Sequence, residues 1–483
     1  MASTSMATDK MPNIKMLKAD QANQSADCLN NRLQRPELVH QLTKLVLTLQ
    51  LKDLPDTVVE AANIFIMDTM AVGVAATTYH ATDKALMSVE SWGAGGASRV
   101  IGRPGITLPA AAAAFVNGMQ VHALEWDGLH EESVVIALCA SMGALFAELD
   151  NDQYSGEQLI CAFVVGVEIA VFFGGISTAS PRFFRPSVAG GMGAAMALAK
   201  LRKLDQTQTI AALGLAYSQA CGTMQAHWEG SMALPMQVGA VARNAHFAVD
   251  MAAAGMTGPV DIIDGQFNFF SLFENASFDE RLMDTLGKPF KVTEIAHKPF
   301  PAGRATQAVL TMMLEWQKGS DVRVQDIAEI KVYVPPLIML LVGRPRESDM
   351  TASYARLCLL FIVPLMLIDG DIDPRRFTRE VYTDPEIVAL SSKIKILDDN
   401  NLDQNALGPQ SMLITLKNGE SVELQCADPL GSPNNPLSKT QRENKVRRCF
   451  ELGLPDRDPK AFIDQCQSLE SLSDCRKLVD LVS

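Results

Sequence analysis

Apolar residues recur at three- and four-residue spacing almost throughout residues 42–273, with breaks at Pro55, Gly93 to Gly96, Pro104-Gly105, Gly156, Pro181 and Pro186. That period predicts a domain built from helices alone. Its longest apolar run, Leu159 to Phe173, is interrupted by Glu168 and is short for a bilayer, so it reads as a buried helix. Small residues crowd 189–199 and 248–255, which implies helices that approach closely. After Gly287 the period changes. Ile327 to Val334 predicts a strand stopped by Pro335-Pro336, Lys393 to Leu397 alternates, and Met412 to Leu424 predicts a hairpin turning at Asn418-Gly419. Helical runs at 305–316 and 352–367 lie between them. The expected fold is therefore mainly α: a large all-α domain over 41–273 and a smaller α+β domain over 274–439. Residues 1–40 are polar, rich in Ser, Asn and Gln, and read as a disordered tail without the apolar stretch of a secretory signal.

Composition narrows the function classes. A chain of 483 residues exceeds one comfortable core, and 48% hydrophobic against 20% charged residues allows a large interior. The net charge of -13 argues against nucleic acid or an anionic membrane as partner, since both need a basic face. Nine cysteines without a C-x-x-C pair suit a reducing cytosol, so the expected location is cytoplasmic. Neither metal-ligand spacing nor a Gly-rich loop after a strand is found, and the expectation is an enzyme without cofactor or metal. Gly190-Gly191-Met192-Gly193 sits in Ala-rich helical sequence and reads as helix packing rather than a phosphate cradle.

The stretch from Asn117 to His130 is the densest in candidate chemistry. An apolar run from Ala110 to Val116 leads in and an aliphatic helix over 134–149 leads out. Between them, a turn carries Glu125, Asp127, His122 and His130, a setting for acid/base work or ligand orientation. The structural alternative is that Asp127 caps the next helix and the histidines are satisfied core residues.

The wording Asn117-Gly118-x3-His122-Ala123-Leu124-Glu125-Trp126-Asp127 resembles the signature of the MmgE/PrpD family, which includes 2-methylcitrate dehydratase and cis-aconitate decarboxylase. Further segments agree in order: Ile66 to Val72, Ser98 to Arg103, Gly156 to Glu168, Gln219 to Gly222, Lys298 to Pro301, Leu367 to Gly370 and Gly431 to Ser438. The resemblance implies that the second domain is a lid, that residues 440–483 return to the helical domain, that the active site lies between the two, and that the protein is a homodimer.

Residue by residue, the chain departs from the family pattern. Where the family carries its first histidine this chain has Val135 or Ile136; at the second it has Arg185, or Phe184 if the register slips by one; at the lysine, Leu234; at the last histidine, Gln307. Glu125, Asp127 and His130 remain as candidate catalytic groups. Phe184, Arg185, the pair His227-Trp228, Leu234, Lys298, Arg304 and Gln307 are candidate substrate contacts. Packing or solvated charge is the alternative for each. A site whose ionisable positions have turned apolar suits a small, apolar substrate with a carbonyl or carboxylate, because Leu234 facing a trianion would leave a carboxylate unpaired. The expected function is a secondary-metabolism cyclase or isomerase, with a pericyclic, Diels-Alder-type closure as the simplest case. Alternatives are a dehydratase or decarboxylase of a citrate-like acid, and a non-catalytic binding protein on the same fold.

Overall fold

The computed structural model describes residues 37–93, 95–175 and 181–483. Most of the proposed tail lies outside them, but its last residues do not: a helix begins at Glu37 and runs to Thr48. The first half is helical as the periodicity predicts. Helix Gly156–Gly174, started by the capping box of Ser155 and Gln158, lies along helix Arg185–Leu201. A Cβ on Gly193 would come within 2.3 Å of the Gly166 carbonyl oxygen, so the glycine run serves close helix packing. Helix Ala110–His122 is flanked by Leu138–Glu148 and Ala233–Ala253. Gly143 meets Gly118 so closely there that a Cβ would stand 2.5 Å from backbone. Helices Asp56–Ala75 and Gly156–Gly174 are long and apolar enough to cross a membrane by length and composition, yet both are mostly buried within the protein.

The second half contains a mixed four-stranded sheet in the order 394–398, 327–334, 410–416, 421–426. Strand Ile327–Val334 matches its apolar alternation, and the hairpin turns at Gly419 with φ 90°. Its parallel partner Ile394–Asp398 is reached through a crossover, as parallel pairing requires. Helices Pro336–Val342, Leu359–Asp369 and Pro385–Ser391 fill that crossover. The helix expected over 352–367 is broken: Ala352–Ala355 and Leu359–Asp369 are separated by Arg356 to Cys358, where Cys358 bridges to Gly343. Helix Lys439–Gly453 packs against Asp56–Ala75, fixed by an ion pair of 2.8 Å between Lys445 and the buried Asp68.

Two contacts join the halves beside the polar motif. Leu129-His130 forms a two-residue antiparallel ladder with Ile295-Ala296, and the Trp126 indole donates to the Pro299 carbonyl at 3.0 Å. A third contact lies behind them. Glu168, in mid-helix, accepts the backbone N–H groups of Gly287 and Lys291. Burial outweighs these bonds and pushes its pKa up to about 7. A carboxyl raised in the folded state costs stability as pH climbs from its ordinary value of 4.5 towards 7, because the unfolded chain ionises first. Glu168→Gln is therefore expected to gain stability relative to wild type between pH 4.5 and 8, on the order of 3 kcal/mol. Urea unfolding at both pH values checks this; a difference independent of pH contradicts it.

Candidate active site

Helix Ala110–His122 does not stop at Val116, so the polar motif starts inside it and the turn follows His122. Glu125 takes the left-handed conformation, φ 52°, which swings its carboxylate towards Lys298 on the second half. Lys298 donates to Glu125 Oε2 at 2.9 Å and stands 3.5 Å from Asp127 Oδ1. Asp127 Oδ2 also faces His122 Nδ1 at 3.1 Å and accepts from the Cys139 thiol at 2.8 Å. His122 Nε2 is 3.4 Å from Glu125 Oε1, an ionic contact without an aligned hydrogen bond. All five side chains are buried.

Burial opposes charge on each group, and the neighbours outweigh it. Lys298 and His122 hold the Glu125 and Asp127 carboxyls below their ordinary range. The same carboxylates hold His122 and Lys298 above theirs. Burial, with Asp127 beside it, pushes the Cys139 thiol well up. The cluster is thus two anions against two cations and closes on itself. Sequence spacing predicts no metal cluster, yet His122, Asp127 and Cys139 place one ligand atom each within 4.8 Å of one another. The Lys298 ammonium already neutralises that carboxylate and the thiol is held protonated, which is the donor set of an ion-pair network rather than of a divalent ion.

Above the cluster lies a cavity walled by both halves. Glu125, Phe184, Arg185, His227, Lys298 and Arg304 reach it, among apolar neighbours such as Leu129, Ile136, Met224, Leu341 and Leu357. Arg185 donates to Glu274 at 3.0 Å and to the Ser133 carbonyl at 3.3 Å, and its buried Nη2 has no partner among the described residues. Arg304 donates to Glu131 at 2.8 Å. His227 Nδ1 lies 3.2 Å from an Arg344 nitrogen that can only donate, so Nδ1 accepts and Nε2 carries the proton. Burial, helped by Arg344, pushes the His227 pKa down to about 3, and the ring is neutral.

Residues 40–281 match the MmgE/PrpD N-terminal domain and residues 300–470 match its C-terminal domain. The chain belongs to the MmgE/PrpD family. Similar members include the human cis-aconitate decarboxylase, 26% identical over 90% of this chain and 92% of that protein. The cis-aconitate decarboxylase-like protein oryM of Aspergillus oryzae is 24% identical over 92% and 96%. Cis-aconitate decarboxylase of Aspergillus terreus is 24% identical over 89% and 93%.

Against this MmgE/PrpD frame, several sequence expectations need correction. His130 does not face the cavity: its ring bonds Ser133 and Glu294, because Val134 adopts φ 52° and Val135 pairs with His130 in a tight hairpin. The helix expected from Val134 consequently starts only at Leu138. Trp228, next to His227 on a short helix, points outward and is 58% exposed. Leu234 is buried in the core and does not reach the cavity. Gln307 bonds the backbone of Phe300 and Ala302, holding the turn that follows Lys298. Asp127 does not line the cavity and stands 3.5 Å from Lys298 and 3.1 Å from His122. Arg344 is the residue the sequence does not single out, and His122, though part of the polar motif, is not among its catalytic candidates. His122 was visible within the motif, whereas nothing in the spacing around Arg344 links it to His227.

Proposed function

We propose that this MmgE/PrpD protein is an enzyme that folds an apolar small molecule, bearing one carbonyl or carboxylate, into a reactive shape for cyclisation or isomerisation. A pericyclic, Diels-Alder-type closure is the case that asks least of proton transfer. One observation carries the reading: each cation at the cavity is already matched by a carboxylate of the protein, Lys298 by Glu125 and Asp127, Arg185 by Glu274, Arg304 by Glu131. A tricarboxylate entering this apolar space would find each cation of its lining already paired, and an unpaired buried carboxylate costs several kcal/mol. What the site offers instead is shape and two donors, the spare Arg185 nitrogen and the His227 Nε2–H. Holding reacting carbons in a near-attack arrangement while a donor polarises a conjugated carbonyl is a sufficient basis for rate enhancement.

A second reading is favoured by the names of the relatives: a carbon–carbon lyase on a citrate-like acid, with the His122, Asp127, Lys298 and Glu125 cluster moving the proton. The two separate in one experiment. The purified protein is incubated with cis-aconitate, with 2-methylcitrate, and with a series of apolar dienes that carry a conjugated carbonyl, and products are resolved by chromatography and mass spectrometry. The expected result is cyclised product from the dienes, with a rate nearly flat from pH 5.5 to 8.5, since His227 stays neutral over that range. Rapid release of carbon dioxide from cis-aconitate, with a bell-shaped pH profile, establishes the lyase reading instead.

A further inference from the structure

The hairpin that turns His130 away from the main cavity builds a second constellation on its far side. Ser133 Oγ lies 2.9 Å from His130 Nδ1, and His130 Nε2 lies 3.0 Å from Glu294 Oε2. The Ser133 backbone N–H also points at Nδ1, at 3.3 Å, so that nitrogen is the acceptor and Nε2 carries the proton, which it gives to Glu294. Hydroxyl, imidazole and carboxylate are thereby aligned in the order nucleophile, base, orienting acid, with the two ring nitrogens exchanged relative to the usual serine hydrolase arrangement. The chemistry requires only that nucleophile and acid occupy opposite nitrogens.

Three further observations support more than a structural serine. Val134, a β-branched residue, sits at φ 52°, backbone strain of the kind concentrated at functional turns. Ser133 and His130 line a cavity of their own, whose wall includes Phe172, Leu282 and Leu286 beside Glu132 and Glu168. Lys291 lines it too and bonds Glu294 at 3.0 Å, which fixes the carboxylate that orients the imidazole. Burial works against charge on Glu294, but the His130 and Lys291 bonds outweigh it and hold the carboxyl ionised.

We infer that this second cavity is an acyl-transfer site, with Ser133 as nucleophile, His130 as base and Glu294 as the orienting acid, accepting small uncharged esters with an apolar acyl group. Ser133 Oγ bonds to the ester carbonyl carbon and its proton passes to His130. The carbon–oxygen bond to the alcohol breaks and the alcohol leaves with that proton. Water then attacks the acyl-serine by the same route, releasing the carboxylic acid and restoring the hydroxyl, so that ester and water become acid and alcohol.

The test uses the full-length protein with an alkyl fluorophosphonate, read by intact mass and peptide mapping, and with p-nitrophenyl butyrate as substrate. The expected result is one adduct, on the peptide carrying Ser133, together with ester turnover that Ser133→Ala abolishes. His130→Gln should slow labelling at least tenfold and Glu294→Gln should slow it less. If Ser133→Ala fails to fold, the mapped site in the wild-type protein and the His130→Gln rate decide. Absence of any adduct on folded wild-type protein, an adduct elsewhere, or equal labelling of His130→Gln overturns the inference.

Discussion

Replacing Lys298 by methionine is expected to cost about 3–5 kcal/mol of stability at neutral pH, because it strands Glu125 and Asp127 without their cation in a dry interior. The pH dependence follows from the direction of the shifts. Carboxyls held low in the fold contribute stability that is present above their unfolded pKa of about 4 and lost as pH falls through the folded one. In Lys298→Met that contribution disappears, so the gap between variant and wild type should narrow as the medium is acidified below about pH 4. Adding Glu125→Gln should recover part of the loss by removing one of the stranded charges. Urea unfolding of the three proteins at pH 7 and in acid measures all of this. A Lys298→Met protein as stable as wild type would mean that the four charges do not compensate one another.

Ile136→Lys should separate the two functional readings more sharply than any deletion. Ile136 lines the cavity at one of the two positions where the family pattern carries a histidine. An added ammonium there has no carboxylate waiting for it, since the neighbouring acids are all engaged. For an apolar substrate it should cost about 100-fold in kcat/KM, ~2.7 kcal/mol of transition-state stabilisation. For a polycarboxylate it would supply the missing counter-charge and lower KM. Steady-state kinetics of the variant on one substrate of each class reads both outcomes; faster turnover of the apolar substrate refutes the proposed function.

Much of the fold was legible because burial imposes a period. Ile327–Val334, the hairpin at Gly419 and the helix around Leu159 to Phe173 carry their geometry in their alternation. The Asn117 to Asp127 wording led to the family and to the cluster. What could not be read was the direction each side chain takes after the motif. A single left-handed residue, Val134, decides that His130 faces a different cavity, and a β-branched residue gives no signal for that conformation. Trp228 is adjacent in sequence to a cavity residue, but neighbours on a helix face different directions, and only His227 turns inward. Gln307 stands at a position where the family pattern has a histidine, yet its amide holds backbone. Arg344, which fixes the His227 tautomer, lies 117 residues away in sequence and meets it only when the halves meet.

The bond between Lys298 and Glu125 joins positions 173 apart. While the first half is made and collapses, Glu125 and Asp127 have His122 but not the ammonium that balances them, and their burial is opposed until the Leu129-His130 ladder receives Ile295-Ala296. Closing the centre therefore requires the second half, because the cation that balances both carboxylates arrives with it. A second half docked out of register would leave Glu125 and Asp127 buried without their cation, at a cost of several kcal/mol. The four charges of this centre thus tie the docking of the two halves to a single register.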